Sequence, residues 1–114
     1  MRSCIFCKIV NNEIPSEAIF NDELVRVIKD INPKAPVHWL VVTKKHIPSI
    51  KESTKSEEIL FGHIISVARD IAKKEKLLGY KLVFNVGKEG GQVIDHLHLH
   101  VLGGWSQTTN QVNV

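Results

Sequence analysis

His96-Leu97-His98-Leu99-His100-Val101-Leu102 is the stretch on which the reading of this chain turns. Strand side chains alternate between the two faces of a sheet, so His96, His98 and His100 share one face while Leu97, Leu99 and Val101 share the other. One face therefore belongs to an apolar core, and the other carries imidazoles whose ring nitrogens all need partners. At a rise of ~3.3 Å per residue, neighbouring rings sit ~7 Å apart along an untwisted strand, too far for all three to crowd onto one reacting atom. The middle ring can address a substrate while its neighbours orient it or bind something else. A neutral imidazole is a good nucleophile toward phosphorus, and the ordinary histidine pKa of about 6.5 leaves it largely neutral in the physiological range. Its second ring nitrogen then needs an acceptor to hold the ring, such as a backbone carbonyl or another histidine.

Immediately upstream, Gly87-x-x-Gly90-Gly91-Gln92 reads as a glycine-rich turn. Glycines let backbone amides approach an anion, and beside a histidine nucleophile the turn reads as a phosphate cradle. Residues 80–86 precede it as a strand, so 80–86 and 95–102 form a candidate hairpin. Further upstream lies the best helix signal. Thr54-x-x-Glu57 fits a capping box, and Leu60, Ile64, Val67, Ala68, Ile71 and Ala72 recur at helical spacing. Lys73, Lys74 and Lys76 suit the last turn, and Gly79 is the expected stop. Residues 37–42 form an apolar, β-branched run of strand length. Ile19-Phe20 and residues 25–28 read as strands around an Asn21-Asp22 turn, and residues 4–12 suit a short helix or turn ended by Pro15. These elements predict an α+β fold with a mainly antiparallel sheet.

The chain has 114 residues, enough for one domain and short for two. With 43% hydrophobic and 24% charged residues its composition is that of an ordinary globular protein, without repeats or low-complexity tracts. The net charge of +3 suits a solvated surface with some attraction for anions such as nucleotides, and no nucleic-acid motif accompanies it. No run approaches the ~18 apolar residues of a membrane span, and no signal-peptide pattern is present, so a cytoplasmic protein is expected. In that compartment Cys4 and Cys7 suit thiols or metal ligands better than a disulfide. Taken alone, Cys4-x-x-Cys7 is a redox pair, half of a metal site, or chance. His63, among the helical residues, carries no assigned role.

Taken in order, Cys4-Ile5-Phe6-Cys7-Lys8-Ile9, Glu13-Ile14-Pro15, Asp30-Ile31-x-Pro33, Ala35-Pro36-x-His38, Lys44-Lys45-His46-Ile47, Asn85, Gly90-Gly91-Gln92 and the histidine row with Gly103-Gly104 resemble the histidine triad family. The likeness is closest to its Hint-like branch of purine nucleoside phosphoramidases. It implies a five-stranded antiparallel sheet with one long and one short helix, in a single domain over residues 1–104 with a polar tail at 105–114 that frays, paired into a homodimer. It implies a nucleotidyl-histidine intermediate on His98, with His100 contacting phosphate and His38 completing a histidine relay, which His96 would join if Cys4 and Cys7 are free thiols. Asp30 would accept the ribose hydroxyls and Ile31 would line the nucleoside pocket. Asn85, Gly91, Gln92 and Val93 would surround the phosphate of a purine nucleotide. The same likeness points to His46 and His96 as partners of Cys4 and Cys7 in a structural zinc site.

Two departures stand out. The residue after the glutamine is often a serine in this branch and here is Val93, which supplies only its backbone amide. The usual Arg and Trp-Pro-Pro tail is absent; Trp105 follows the two glycines directly. Other readings stay open: a dinucleoside polyphosphate or acyl-nucleotide hydrolase of the same family, a zinc hydrolase with a catalytic metal on the histidine row, and a non-catalytic nucleotide-binding module.

Overall fold

The structure, a computed structural model, describes residues 4–107. Five strands form one antiparallel sheet in the order β1-β2-β3-β5-β4. The strands are β1 (Ala18–Asn21), β2 (Val25–Lys29), β3 (Val37–Thr43), β4 (Tyr80–Val83) and β5 (His98–Gly103). The short helix α1 (Ile5–Val10) precedes them, and the long helix α2 (Glu58–Lys74) lies between β3 and β4.

Alternation along the strands divides the molecule into two layers. Val25, Val27, Trp39, Val41, Leu99 and Val101 face α2, whose Ile64, Val67, Ala68 and Ile71 close the main core over them. The opposite sheet face offers Ile28, Leu40 and Val42 to Phe6, Ile9 and Val10 of α1. That second layer is small, because α1 covers only part of the face and leaves the remainder to polar side chains. His38 on β3 and His98 and His100 on β5 belong to this α1 face, out of phase with the core residues beside them. The two strands run side by side with Leu40 opposite His100 and Leu102 opposite His38, which makes His38 and His100 diagonal neighbours.

Three boundaries differ most from those read in the sequence. The last strand begins at His98 rather than at residue 95. Residues before it leave the sheet, with the Leu97 amide donating to the Ile47 carbonyl at 2.7 Å. The ladder between β4 and β5 ends with Val83 opposite His100, so β4 stops at Val83 instead of reaching 86, although His98 and Leu99 continue β5 beyond that point. The two strands still pair, with Tyr80 opposite Gly103 and Val83 opposite His100, but across a long connection that holds the glycine turn. The α2 helix stops before Gly79. Glu75 is its C-cap, Lys76 takes a left-handed φ of 59°, and the Leu77 amide closes back on the Ala72 carbonyl at 2.9 Å. A lysine thus fills the position the sequence reading assigned to a glycine. The expected fraying tail lies outside the described residues from 108 onward. Among the described residues no helix is long and apolar enough to cross a membrane.

Candidate active site

A cavity of about 530 Å³ opens on the α1 face, between that helix, the loop after β2, and the β3 and β5 strands. Its floor is apolar, with Phe6, Ile28 and Leu40, and its wall carries Asp30, His38, His98 and His100. Strand alternation brings these imidazoles to one side, and the closeness of β3 and β5 brings His38 to His100.

His98 is held from below. Its Nδ1 lies 2.6 Å from the His96 carbonyl, a contact only an N–H can make, so Nδ1 carries the proton and Nε2 keeps its lone pair. Phe6 meets the ring edge-on at 5.1 Å between centroids, fixing its plane. Burial lowers the pKa of His98 from the ordinary histidine value, against the opposing hydrogen bond to the His96 carbonyl. The side chain is therefore neutral, orientated, and part of the cavity wall.

His38 and His100 form a second pair, with Nε2 of His38 2.9 Å from Nδ1 of His100. Asp30 Oδ2 lies 3.4 Å from the same His38 nitrogen. Burial lowers the pKa of both rings, and His100, with the charges His98 and His38 would carry close by, is pushed down to about 4. The rings of His98 and His100 approach to 5.0 Å between centroids, closer than the ~7 Å of an untwisted strand because the side chains lean toward each other.

Around these groups the other expected residues are distributed unevenly. Asp30, Asn85, Gly91, Ile31 and Val93 line the cavity. Ile31 and Val93 stand on its rim, each 91% exposed. Asn85 lies 3.5 Å from His100 through its amide nitrogen. The Gln92 side chain points elsewhere. It is buried, donates to the Pro48 and Ile94 carbonyls at 2.6 and 2.9 Å, and accepts from the Gly87 amide at 2.9 Å. The amides of Gly90, Gly91 and Gln92 are also engaged, bonded within the turn to carbonyls of Gly87 and Lys88. Gly87 and Gly91 both take positive φ, which explains the glycines by turn geometry.

His96 parts company with the row. Its Nε2 lies 2.7 Å from the Thr43 carbonyl and must donate to it, which leaves the Nδ1 lone pair directed at Cys4, Cys7 and His46. Nδ1 is 3.2 Å from Cys4 Sγ and 3.5 Å from Cys7 Sγ; His46 Nδ1 is 3.1 Å from Cys7 Sγ and 3.1 Å from His96 Nδ1. All four donor atoms lie within 4.8 Å of one another. A tetrahedron with zinc–sulfur bonds of ~2.3 Å and zinc–nitrogen bonds of ~2.0 Å has edges of roughly 3.3–3.8 Å, so the cluster has the size and donor set of a closed site. These residues can bind a metal. The second group of potential donors, Asp30, His38 and His100, lies in the cavity itself.

Two contributors escaped the reading of the sequence. Phe6 buttresses both His96 and His98, at 5.9 and 5.1 Å between ring centroids, and only its place inside the Cys-x-x-Cys loop hinted at a role. The backbone amide of Lys34 donates to His38 Nδ1 at 3.0 Å. No residue type announces such a bond, since every residue except proline carries an amide.

Comparison with known proteins agrees with this geometry. The family model described as "Scavenger mRNA decapping enzyme C-term binding" matches residues 3–113. The chain is similar to the purine nucleoside phosphoramidase of Escherichia coli strain K12, with 40% identity over 102 residues that span 88% of this chain and 86% of that protein. It is similar in structure to a HIT family hydrolase from Legionella pneumophila, with a TM-score of 0.89 and 42% identity, covering 93% of this chain and 96% of that one. A zinc-bound histidine triad family protein from Mycobacterium smegmatis has a TM-score of 0.81 at 29% identity, covering 92% of this chain and 77% of its own. With the five-stranded sheet and the paired histidines, these likenesses establish that the chain belongs to the histidine triad family of enzymes.

Proposed function

We propose that this enzyme hydrolyses nucleoside 5′-phosphoramidates, of the kind in which AMP carries an amine on its phosphorus, through a nucleotidyl-histidine intermediate on His98. The observation that carries the reading is the 2.6 Å bond from His98 Nδ1 to the His96 carbonyl, which keeps Nε2 unprotonated on the cavity side chain. That lone pair attacks the α-phosphorus, the phosphorus–nitrogen bond breaks, and the departing amine takes up a proton. Water then attacks the phosphorus and gives up a proton that balances the one taken by the amine, the bond to His98 breaks, and the nucleotide leaves with Nε2 restored. The E. coli relative, named a purine nucleoside phosphoramidase, supports the choice of leaving group and of a purine base.

The nucleotide lies with its base over Phe6, Ile28 and Leu40 and beside Ile31, its ribose hydroxyls on Asp30, and its phosphate among Asn85, Gly91, Val93, His98 and His100. With the side chain of position 93 apolar and the neighbouring turn amides engaged, the Val93 amide, which has no protein acceptor among the described residues, serves the phosphate. Gln92 acts by bracing the turn, through its bonds to Gly87, Pro48 and Ile94. His38 and His96 act by holding His100 and His98. One zinc ion per chain, structural in role, is held by Cys4, Cys7, His46 and His96; it ties the N-terminus to the sheet and fixes the residue whose carbonyl orientates His98. The working unit is a homodimer of single domains spanning residues 1–104, and a cytoplasmic location suits cysteines arranged as metal ligands.

A catalytic metal on the histidine row fits less well. His96 Nδ1 turns toward the sulfur cluster and His98 Nδ1 is taken by a carbonyl, so the row offers no common focus.

The test is release of AMP from adenosine 5′-phosphoramidate by the wild type and by His98→Ala. Release by the wild type, and its loss in the variant with AMP binding retained, supports the reading. A folded, AMP-binding wild type that releases nothing overturns it.

A further inference from the structure

The bond from the Lys34 amide to His38 Nδ1 has the right geometry for an N–H donor, at 3.0 Å, and it admits only one arrangement of protons in the rings beyond it. A nitrogen that accepts from an amide carries no hydrogen, so neutral His38 bears its proton on Nε2. That nitrogen faces His100 Nδ1 at 2.9 Å, with Asp30 Oδ2 as a longer second acceptor at 3.4 Å. His100 Nδ1 must then accept, which moves the His100 proton to Nε2. The Asn85 amide nitrogen is 3.5 Å from that Nε2. Two N–H donors cannot bond each other; they can converge on one acceptor between them.

We propose that the backbone amide of Lys34 is a positioning group that sets the direction of this hydrogen-bonded chain, so that His100 presents Nε2–H as a neutral donor beside the Asn85 amide, and the pair receives an oxygen of the phosphoryl group. The inference deepens the hydrolytic reading above, and only its effect on rate rests on that reading. Three further observations agree. Burial keeps both rings neutral, so the chain is polarised by a backbone dipole rather than by an imidazolium charge. His98 is protonated on the opposite nitrogen, Nδ1, because its acceptor is the His96 carbonyl. Two backbone groups, one donor and one acceptor, thus give neighbouring histidines on one strand opposite demands: lone pair forward on His98, N–H forward on His100. The same bond also opposes a metal at Asp30, His38 and His100. A metal on His38 Nε2 would force the ring hydrogen onto Nδ1, directly against the Lys34 N–H.

The direct measurement is the imidazole 15N spectrum of the histidine-labelled, ligand-free full chain at neutral pH, where protonated and unprotonated ring nitrogens are resolved. The expected pattern is Nδ1 unprotonated and Nε2 protonated in both His38 and His100. A proton on Nδ1 of His38 overturns the proposal whatever the enzyme hydrolyses. The second measurement compares Lys34→Pro, which removes the amide hydrogen, with Lys34→Ala, which keeps it; both lose the ammonium group, so their difference isolates the amide. Lys34→Pro is expected to show a changed His38 tautomer, a kcat about 10–100-fold below Lys34→Ala and a weaker Kd for AMP. Equal kcat and an unchanged His38 tautomer in the two variants overturn it. If Lys34→Pro fails to fold, the wild-type spectrum decides.

Discussion

His98 and His100 sit two residues apart on one strand, yet they need different protonated nitrogens and the same neutral state. The fold meets the second need by burial. Desolvation disfavours the charged imidazole, and for His100 the nearby His98 and His38 add to that, bringing its pKa to about 4. The sign matters for activity. A group that works in its neutral form and has a lowered pKa stays in its working form as the solution is acidified through 6.5. The acid limb of kcat/KM is therefore expected to lie below 6.5, with His100 itself staying neutral until the pH nears about 4. A limb centred near 6.5 would show that the rings are as solvated as free histidine. At this scale the sequence was informative about side chains and left the individual backbone partners unnamed. Alternation in residues 96–102 separated the imidazoles from Leu97, Leu99 and Val101, as the core demonstrates. The grouping of His96 with Cys4, Cys7 and His46 came from the family resemblance, and a backbone carbonyl behind the middle ring was one of two expected acceptors. Alternation could not say which main-chain groups, those of Lys34, Thr43 and His96, would fix the ring tautomers.

The two ends of α2 show how far an element can be read from residue types. Its approach was legible because a capping box is a local chemical signature, and the box at Thr54 and Glu57 closes a 3-10 turn, Lys55–Glu57, that runs directly into α2 at Glu58. The Thr54 amide donates to Glu57 Oε1 at 2.7 Å, while Ser56 Oγ and Lys45 Nζ donate to Oε2 at 2.6 and 2.9 Å. These contacts, the Ser56 hydroxyl foremost, hold the Glu57 pKa at about 2 against an ordinary value of 4.5. Because the folded value is the lower one, the carboxylate contributes its full stability above the unfolded pKa and loses it as the pH falls from about 4.5 toward 2. Glu57→Gln is expected to lower the urea midpoint at neutral pH and to flatten the acid decline across that window, measured by circular dichroism. The end of the helix was misread because glycine preference is statistical, and here Lys76 holds the left-handed conformation while Gly79 does not. Lys76→Gly relieves that strain and is expected to raise stability by about 1 kcal/mol in the same titrations. An alanine at Gly79, where a Cβ would meet open space, is expected to change it little.

For the whole molecule the metal cluster matters most, because its four donors come from three separate parts of the chain. Cys4 and Cys7 come from the N-terminal helix, His46 from the loop after β3, and His96 from the segment entering β5. The α1 helix buries only one small layer against the sheet, so a bond among these segments restrains the element whose Phe6 forms the floor of the cavity. Bound zinc would also require both thiols to deprotonate, although burial, aided by Cys4, pushes the Cys7 thiol up to about 11 without the ion. A zinc-loaded chain is therefore expected to hold close to one ion, and Cys7→Ala close to none, by atomic emission on dialysed protein. Chelation is expected to lower Tm by several degrees, with loss of the α1 contacts visible as faster amide exchange over residues 5–10. Because zinc touches neither substrate nor the reacting atoms in this reading, turnover measured below the lowered Tm is expected to survive chelation, within about tenfold. Complete loss of turnover in a chelated protein that remains folded would instead place the metal in the chemistry.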